Sequence, residues 1–181
     1  MKNKYIKIFC VAIVSTLALT SCDKGFEEMN TNPNALTKPA VKSMFTLAEI
    51  YVDGQDFSNT RGNNAYAAQI VQHFSSLGGP GSKYTYSPEY SGSLFGESYG
   101  KGLNQIMQLL SVLENTPENS NMIQACRIMK VLMFQKLTDT YGEIPYFEAG
   151  KGYNGNIFSP KYDTQEAIYN DLLKELDEAG T

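Results

Sequence analysis

Two stretches of helical periodicity, separated by a polar break, constrain the fold of this chain most strongly. The first is a stripe of apolar residues three or four apart, which one face of an α-helix brings together: Phe95, Tyr99, Leu103, Ile106, Leu110 and Leu113. Residues 115–120 interrupt it, and a second helix is predicted over about 122–138, apolar on so much of its circumference that we expect it to be buried between neighbours. This pattern predicts a helical hairpin.

Two more helices are predicted before this hairpin. The first runs from about Pro39 to Val52, with Thr37 as its cap and Gly54 as its end. The second covers about 64–75 and carries the only histidine, His73, which we interpret as structural because a metal site or a general base would need companion ligands or acids.

The end of the hairpin and the last helix have clear signals. Gly142 can adopt the left-handed conformation that closes a helix, and Pro145 cannot continue one. After a loop rich in Gly, Asn and aromatic residues, Asp163 is predicted to cap a final helix, with Glu166 reaching back to complete a capping box.

The fold class predicted from these elements is mainly α, with TPR-like helical hairpins and long irregular loops. Stacked antiparallel hairpins are the plan of TPR-like solenoids, although the 34-residue consensus is not legible in this chain. Two hairpins leave apolar end faces unburied. We therefore expect the domain to be incomplete, so that either further chain or a partner covers those faces.

The first 22 residues have the three parts of a bacterial export signal. A basic stretch is followed by an apolar stretch, Ile8–Leu19, that is short for a membrane span but long enough for a leader. The sequence Leu-Thr-Ser-Cys at 19–22 resembles a lipobox, which makes Cys22 the predicted site of lipid attachment. The alternative is an ordinary secreted protein with an incidental cysteine at the cleavage site.

The predicted domain organisation is a signal peptide at 1–21, an acidic tether at 22–38 and a helical domain at 39–181. The tether has too little apolar content to pack. Its acidic residues after the cysteine resemble the surface-export signal of Bacteroidetes lipoproteins, and a plain solvated linker would look similar. We expect an outer-membrane, lipid-anchored protein at the cell surface.

Charge and cysteine content exclude several classes of protein. Lys2, Lys4 and Lys7 leave with the leader, so 12 of the 15 Lys and Arg residues remain against 19 Asp and Glu, a formal net charge of −7. Nucleic acid is therefore not an expected partner. Cys126 keeps no partner for a disulfide and is predicted to be a buried, inert thiol. No cofactor and no metal site are predicted.

Two motifs resemble the SusD/RagB family of Bacteroidetes outer-membrane lipoproteins. They are Leu-Thr-Asp-Thr-Tyr-Gly-Glu-Ile-Pro-Tyr at 137–146, and Pro-Lys-Tyr-Asp-Thr-Gln-Glu-Ala-Ile-Tyr at 160–169 with Leu-Asp-Glu-Ala at 176–179. The segment 26–34 is similar to the family's mature N-terminus. The resemblance covers nearly all of residues 22–181, but only the N-terminal part of the family.

This resemblance implies a function. Such a protein is a TPR-like lid on a SusC-like, TonB-dependent outer-membrane transporter; it captures glycans or other nutrients and is not an enzyme. The resemblance also places Tyr141, Gly142 and Pro145 in the helical scaffold, so we expect them to support structure and to make no ligand contact.

The candidate ligand site lies between Gly78 and Lys101, a stretch with six Gly and five Ser that reads as a flexible aromatic loop running into a helix. Tyr84, Tyr86 and Tyr90 are the candidate ligand-binding residues, because tyrosine offers a ring face to a sugar and a hydroxyl for hydrogen bonds. In the alternative, these rings only pack the loop down, while Phe95 and Tyr99 belong to the core. The loop 146–162, with Phe147, Tyr153 and Phe158, is an equal competitor, and the absence of Trp weakens a sugar platform in either loop.

Two other functions stay open on the sequence alone. Surface glycoside hydrolases use two carboxylates across the scissile bond, and Asp139, Glu143 and Glu148 are the acids near a loop. Nothing in their pattern raises them above solvated or capping acids. The other function is a purely structural one, in which a short chain docks on the transporter without a ligand site of its own.

Overall fold

The computed structural model describes residues 25, 26, 30, 40–54, 59–114 and 116–180. The predicted leader at 1–21, the lipid site Cys22 and most of the tether lie outside these residues. The helical elements of the described part are α1 (Val41–Asp53), π1 (Asn59–Ala67), α2 (Ala68–Ile70), α3 (Pro88–Glu97), π2 (Ser98–Leu103), α4 (Asn104–Leu113), a 3-10 turn (Pro117–Asn119), α5 (Ser120–Tyr141), α6 (Gly152–Gly155) and α7 (Gln165–Ala179). The predicted mainly α class is confirmed.

The core lies where α4, α5 and α7 meet. Helix α5 packs against both α4 and α7, while α1 covers α4 and α5. The stripe predicted for the first helix of the hairpin supplies much of this core, because Ile106 and Leu113 are fully buried. Cys126 and Leu137 of α5 and Ile168 of α7 are fully buried as well. The hairpin predicted from periodicity therefore organises the domain.

The helix that carries the stripe begins earlier than predicted. Elements α3, π2 and α4 follow one another without a break from Pro88, which occupies the first turn as proline prefers. The wider π2 segment brings its backbone close to α5, where a Cβ on Gly102 would lie 2.2 Å from the Met133 Cε. Only glycine therefore fits at position 102 without displacing a neighbour.

Helix α5 ends as predicted. Gly142 has a φ of 77°, its N–H donates to the Thr138 carbonyl at 2.8 Å, and the Thr138 hydroxyl donates to the Gly142 carbonyl at 2.7 Å. The burial predicted for this helix is wrong on one side: Ile128 is 39% and Leu132 48% exposed. No helix in the described ranges is long and apolar enough to cross a bilayer.

On α7, which packs against α5, Leu173 and Leu176 are exposed as well. Both helices therefore keep apolar side chains that no other part of the described chain covers. This is the kind of end face expected of a short stack of hairpins.

Three further boundaries differ from the predictions. The helix predicted over 64–75 ends at Ile70, because Gln72 adopts a φ of 62° and the chain turns away. Helix α1 begins at Val41 with Ala40 at its N-cap, while Thr37 and Pro39 lie outside the described residues. Thr164, and not Asp163, caps α7 by accepting a hydrogen bond from the Ala167 N–H at 3.3 Å.

Candidate ligand-binding surface

The segment 76–86, which we call the tyrosine loop, folds back on the preceding helical turns. The Gly81 N–H donates to the Ala65 carbonyl of π1 at 3.2 Å. Within the loop, the Thr85 N–H donates to the Pro80 carbonyl at 3.0 Å and the Tyr84 N–H to the Gly81 carbonyl at 3.1 Å. The loop predicted to be flexible thus has a defined backbone hydrogen-bond network.

One buried side chain, Gln69 of α2, lies beneath this loop. It is 8% exposed, and its Oε1 accepts hydrogen bonds from the Ser82 N–H at 3.1 Å and the Ser82 hydroxyl at 3.0 Å. The Ser82 Oγ in turn accepts from the Ser76 N–H at 3.0 Å, which ties the two ends of the glycine-rich turn together. The sequence analysis did not identify Gln69; the close run of glycines at 78, 79 and 81 is the signal that indicates a near approach of another chain segment.

Tyr84 and Tyr86 project from the loop into solvent. The Tyr84 side chain is 66% and that of Tyr86 80% exposed. The Tyr84 hydroxyl donates to the Ile70 carbonyl at 3.2 Å, and its backbone has a φ of 51°, a conformation uncommon for a residue with a side chain. The loop therefore presents two aromatic rings to solvent.

Tyr90 differs from the other two candidates. It lies in helix α3 and not in the loop, which corrects its predicted position. Its ring is half-buried, and the Arg61 Cζ lies 5.6 Å from the ring centroid while the same guanidinium pairs with Glu89 at 2.5 Å. A cation over the ring face covers part of the surface that a sugar would use.

The turn that precedes the tyrosine loop, and the start of the loop itself at Leu77, add exposed apolar side chains. Val71 is 60%, Phe74 58% and Leu77 101% exposed. The helix predicted over 64–75 would include Val71 and Phe74, and its early end at Ile70 explains why both face solvent. His73 lies in the same turn and not on a helix, and its side chain is exposed.

The competing loop at 146–162 also displays aromatic rings. Phe147 is 45%, Phe158 80% and Tyr162 63% exposed. The side chain of Tyr153 is not among those that the structure describes. The Asp163 Oδ2 accepts hydrogen bonds from the N–H groups of Tyr146 and Phe147 at 3.0 and 2.9 Å, which holds the start of this loop. Both loops therefore carry exposed rings on an ordered base.

Two tyrosines of the motif at 137–146, Tyr141 and Tyr146, lie in the scaffold together with Tyr99 of π2. The Tyr141 hydroxyl donates to the Ser91 carbonyl at 2.7 Å and accepts from the Phe95 N–H at 3.1 Å. Tyr99 donates to the Pro145 carbonyl at 2.5 Å, and Tyr146 to the Asp171 carboxylate at 2.7 Å. Burial is the main cause that raises the pKa of all three phenols above their ordinary value, so they remain neutral hydrogen-bond donors.

Two of the three acids considered for hydrolysis make local hydrogen bonds, and the third, Glu143, is exposed. Asp139 accepts a hydrogen bond from the Tyr169 hydroxyl, and the Glu148 carboxylate accepts one from the Lys161 N–H at 3.0 Å. Within the residues that the structure describes, no group of His, Cys, Asp and Glu side chains could hold a metal ion. Cys126 is fully buried, as predicted, and burial raises the pKa of its thiol to about 11.

Comparison with known families identifies the class of protein. Residues 30–181 match the SusD-like family described as starch-binding and associating with the outer membrane. The chain therefore belongs to the SusD-like family, as its motifs at 137–146 and 160–169 indicated. No curated protein sequence gives a significant match.

Two solved structures share the fold. A chitin-binding protein is 34% identical, with a TM-score of 0.68 over 77% of this chain and 30% of that one. A Bacteroidetes SusD-like protein is 25% identical, with a TM-score of 0.67 over 78% of this chain and 26% of that one. These similarities confirm the TPR-like helical class. The chain spans less than a third of the length of either structure.

Proposed function

We propose that this protein binds glycans at the cell surface, through the exposed rings of Tyr84 and Tyr86 with Tyr90 at the edge of the site. Membership of a family described as starch-binding, and similarity to a chitin-binding protein, support an oligosaccharide as the ligand. The exposure of Tyr84 and Tyr86 on a hydrogen-bonded loop is the observation that carries the assignment to this surface.

The chemistry of the two rings fits a sugar. The C–H groups on one face of a pyranose form an apolar surface that an aromatic ring can cover, and the phenol hydroxyls can exchange hydrogen bonds with the sugar hydroxyls. The exposed aliphatic side chains beside the tyrosines, Val71 and Leu77, offer apolar surface but no hydrogen-bonding group. The two tyrosines are therefore the side chains of this region that best match a ligand with both apolar faces and hydroxyls.

Calorimetric titration with chito- and malto-oligosaccharides tests this assignment. We expect Tyr84→Ala and Tyr86→Ala each to weaken binding by about 5- to 30-fold, in line with about 1 to 2 kcal/mol for a ring contact. Tyr162→Ala is the matched control, because it removes an equally exposed tyrosine from the competing loop. Loss of binding in Tyr162→Ala, with normal binding in the other two variants, would move the site to the loop at 146–162.

We also propose that Cys22 carries the lipid anchor and that the protein acts as the lid of a TonB-dependent transporter in the outer membrane. The family description supports association with the outer membrane. The uncovered apolar face at Ile128, Leu132 and Leu173 is compatible with contact to further protein surface. Purification of the tagged protein from outer membranes should recover the transporter, and a Cys22→Ser variant should leave the membrane fraction. Repeated purification without a transporter would contradict the lid role.

Binding is proposed to occur without hydrolysis. In support, the Asp139 carboxylate accepts a hydrogen bond from the Tyr169 hydroxyl, and the Glu148 carboxylate accepts one from the Lys161 N–H. Incubation with the oligosaccharides used for titration, followed by chromatography, should return them intact. Shorter sugars formed by the natural protein, but not by an Asp139→Asn or Glu148→Gln variant, would establish that the protein is an enzyme.

A further inference from the structure

We propose that Gln69 is the positioning residue of the ligand site: its buried amide oxygen holds the tyrosine loop in the conformation that presents Tyr84 and Tyr86. The inference rests on the proposed function for its ligand part, since it concerns the same site. Gln69 does not reach the surface where a sugar would lie, because it is 8% exposed beneath the loop. Its role is therefore to act through the loop and not on the ligand.

The geometry around the Gln69 amide is specific. One oxygen, Oε1, accepts from both the N–H and the hydroxyl of Ser82, so it fixes the backbone and the side chain of the same residue. Ser82 lies two residues before Tyr84, and its hydroxyl also accepts from the Ser76 N–H. Loss of this acceptor would leave the Ser82 N–H without its partner next to a buried site, which opposes the present loop conformation.

The glycines of the loop indicate the same design. A Cβ at Gly79 would lie 2.2 Å from the Gln69 Oε1 and 2.7 Å from its Nε2. At Gly81, a Cβ would lie 2.5 Å from the Tyr66 carbonyl oxygen and 2.8 Å from the Gln69 Cβ. Gly78, by contrast, has nothing within 4 Å of an added Cβ. Glycine is therefore required at position 81 by the Tyr66 carbonyl, and a side chain at position 79 would displace the Gln69 amide.

This arrangement matters for affinity because the loop is exposed. An exposed loop without an anchor samples many conformations. The apparent affinity of a ligand that selects one of them equals the intrinsic affinity multiplied by the fraction of time that this conformation is present. The Tyr84 backbone is in the left-handed region and its hydroxyl reaches the Ile70 carbonyl, so its ring direction depends on the loop conformation. We infer that the Gln69–Ser82 contact keeps this direction populated before a ligand arrives.

Two substitutions at position 69 separate hydrogen bonding from packing. Gln69→Met keeps the length of the side chain but removes the acceptor, whereas Gln69→Glu keeps an acceptor oxygen in either protonation state. Gln108→Met is the matched control, because Gln108 lies exposed on α4 and contacts only Asn104 of its own helix in the hydrogen bond it makes at 3.1 Å. Should Gln69→Met fail to fold, Gly79→Ala displaces the same amide, and Gly78→Ala is its control.

Limited trypsin digestion reads the loop without any ligand. Lys83 lies in the loop and is exposed, so cleavage after it reports local opening, whereas cleavage after Lys136 in α5 reports unfolding of the core. We expect Gln69→Met to raise cleavage after Lys83 about tenfold, which corresponds to about 1.4 kcal/mol, with no change after Lys136. Gln69→Glu and Gln108→Met should stay within about twofold of the natural protein.

Titration with chito- and malto-oligosaccharides then tests the ligand part. We expect Gln69→Met to weaken binding by roughly 3- to 10-fold and Gln69→Glu to restore it. Cleavage after Lys83 at the natural rate in Gln69→Met would overturn the positioning role, and so would an opened loop with unchanged affinity. If the natural protein binds neither series of sugars, the proposed function fails, while the cleavage ratio still decides whether Gln69 holds the loop.

Discussion

Tyr141 offers a sharp test of the scaffold role assigned to the family motif. Its hydroxyl lies between the Phe95 N–H and the Ser91 carbonyl of α3, the donor and acceptor that a regular α-helix pairs across four residues. The hydroxyl therefore enters the helical hydrogen-bond ladder in the way a water molecule can. Tyr141→Phe removes this bridge and keeps the ring, whose edge-to-face contact with Phe95 has a centroid distance of 5.5 Å.

The magnitude follows from counting hydrogen bonds. The substitution removes two bonds, each with a net value of about 1 kcal/mol, and leaves two backbone groups that can recover part of this by pairing with each other. We expect the free energy of unfolding to fall by about 1 to 2 kcal/mol, and the midpoint of thermal unfolding by roughly 3 to 6 °C for a domain of this size.

Urea and thermal unfolding followed by circular dichroism measure this effect. Tyr162→Phe is the control, because the Tyr162 side chain is 63% exposed and the loss of its hydroxyl should change stability by less than about 0.5 kcal/mol. The folded Tyr141→Phe protein should bind oligosaccharides with unchanged affinity. An unfolding free energy equal to that of the natural protein would refute the bridging role, and weakened binding by a fully folded variant would refute the assignment of Tyr141 to the scaffold alone.

Three further predictions concern packing, capping and pH. Gly102→Ala should have a free energy of unfolding in urea at least about 1 kcal/mol below that of Gly100→Ala, because its Cβ would meet the buried Met133 Cε and the Tyr51 Cβ, whereas a Cβ at Gly100 has nothing within 4 Å and both variants gain the same helix propensity. Thr164→Ala should cost about 1 kcal/mol by removing the cap of α7, and a change below about 0.3 kcal/mol would contradict this cap. Burial raises the pKa of the Cys126 thiol from 9.0 to about 11; its contribution to stability is therefore complete below pH 9 and is lost as the pH rises through 11. Cys126→Ala should reduce the fall of the urea midpoint between pH 8 and 10.5, and an unchanged fall would exclude this thiol as its source.

Helical periodicity predicted the core of the fold well. The stripe from Phe95 to Leu113 and the end of α5 at Gly142 both follow from the side-chain spacing and backbone preferences of one segment at a time. The burial of Cys126 followed in the same way. These features depend on the residues of one segment, so its sequence is enough to predict them.

The errors arise where contacts distant in the sequence decide. The segment 64–75 has helical spacing, yet the chain turns at Gln72, and the following loop folds back to bind the Gln69 side chain through Ser82. Asp163 is a good cap by sequence, but its carboxylate binds the N–H groups of Tyr146 and Phe147 across the loop, which leaves the cap to Thr164. No local pattern reports such a contact.

The candidate site was predicted in part. The positions of Tyr84 and Tyr86 in a glycine-rich loop were visible in the sequence, and their exposure is a property of the folded chain. Tyr90 was assigned to the loop because the glycines and serines after it hide the start of α3 at Pro88. The anchor beneath the loop required the structure, since a lone glutamine in a helix has no sequence signature.

The most direct test of the central proposal is a nuclear magnetic resonance titration of the protein labelled at its tyrosine rings, with chito- or malto-oligosaccharide added stepwise. Variants that lack single tyrosines assign the resonances. We predict that the signals of Tyr84 and Tyr86 shift in a saturable manner, while the buried Tyr146 and the exposed Tyr162 stay in place. Shifts confined to Tyr162, or no saturable shift at any ring, would contradict a glycan site on the tyrosine loop.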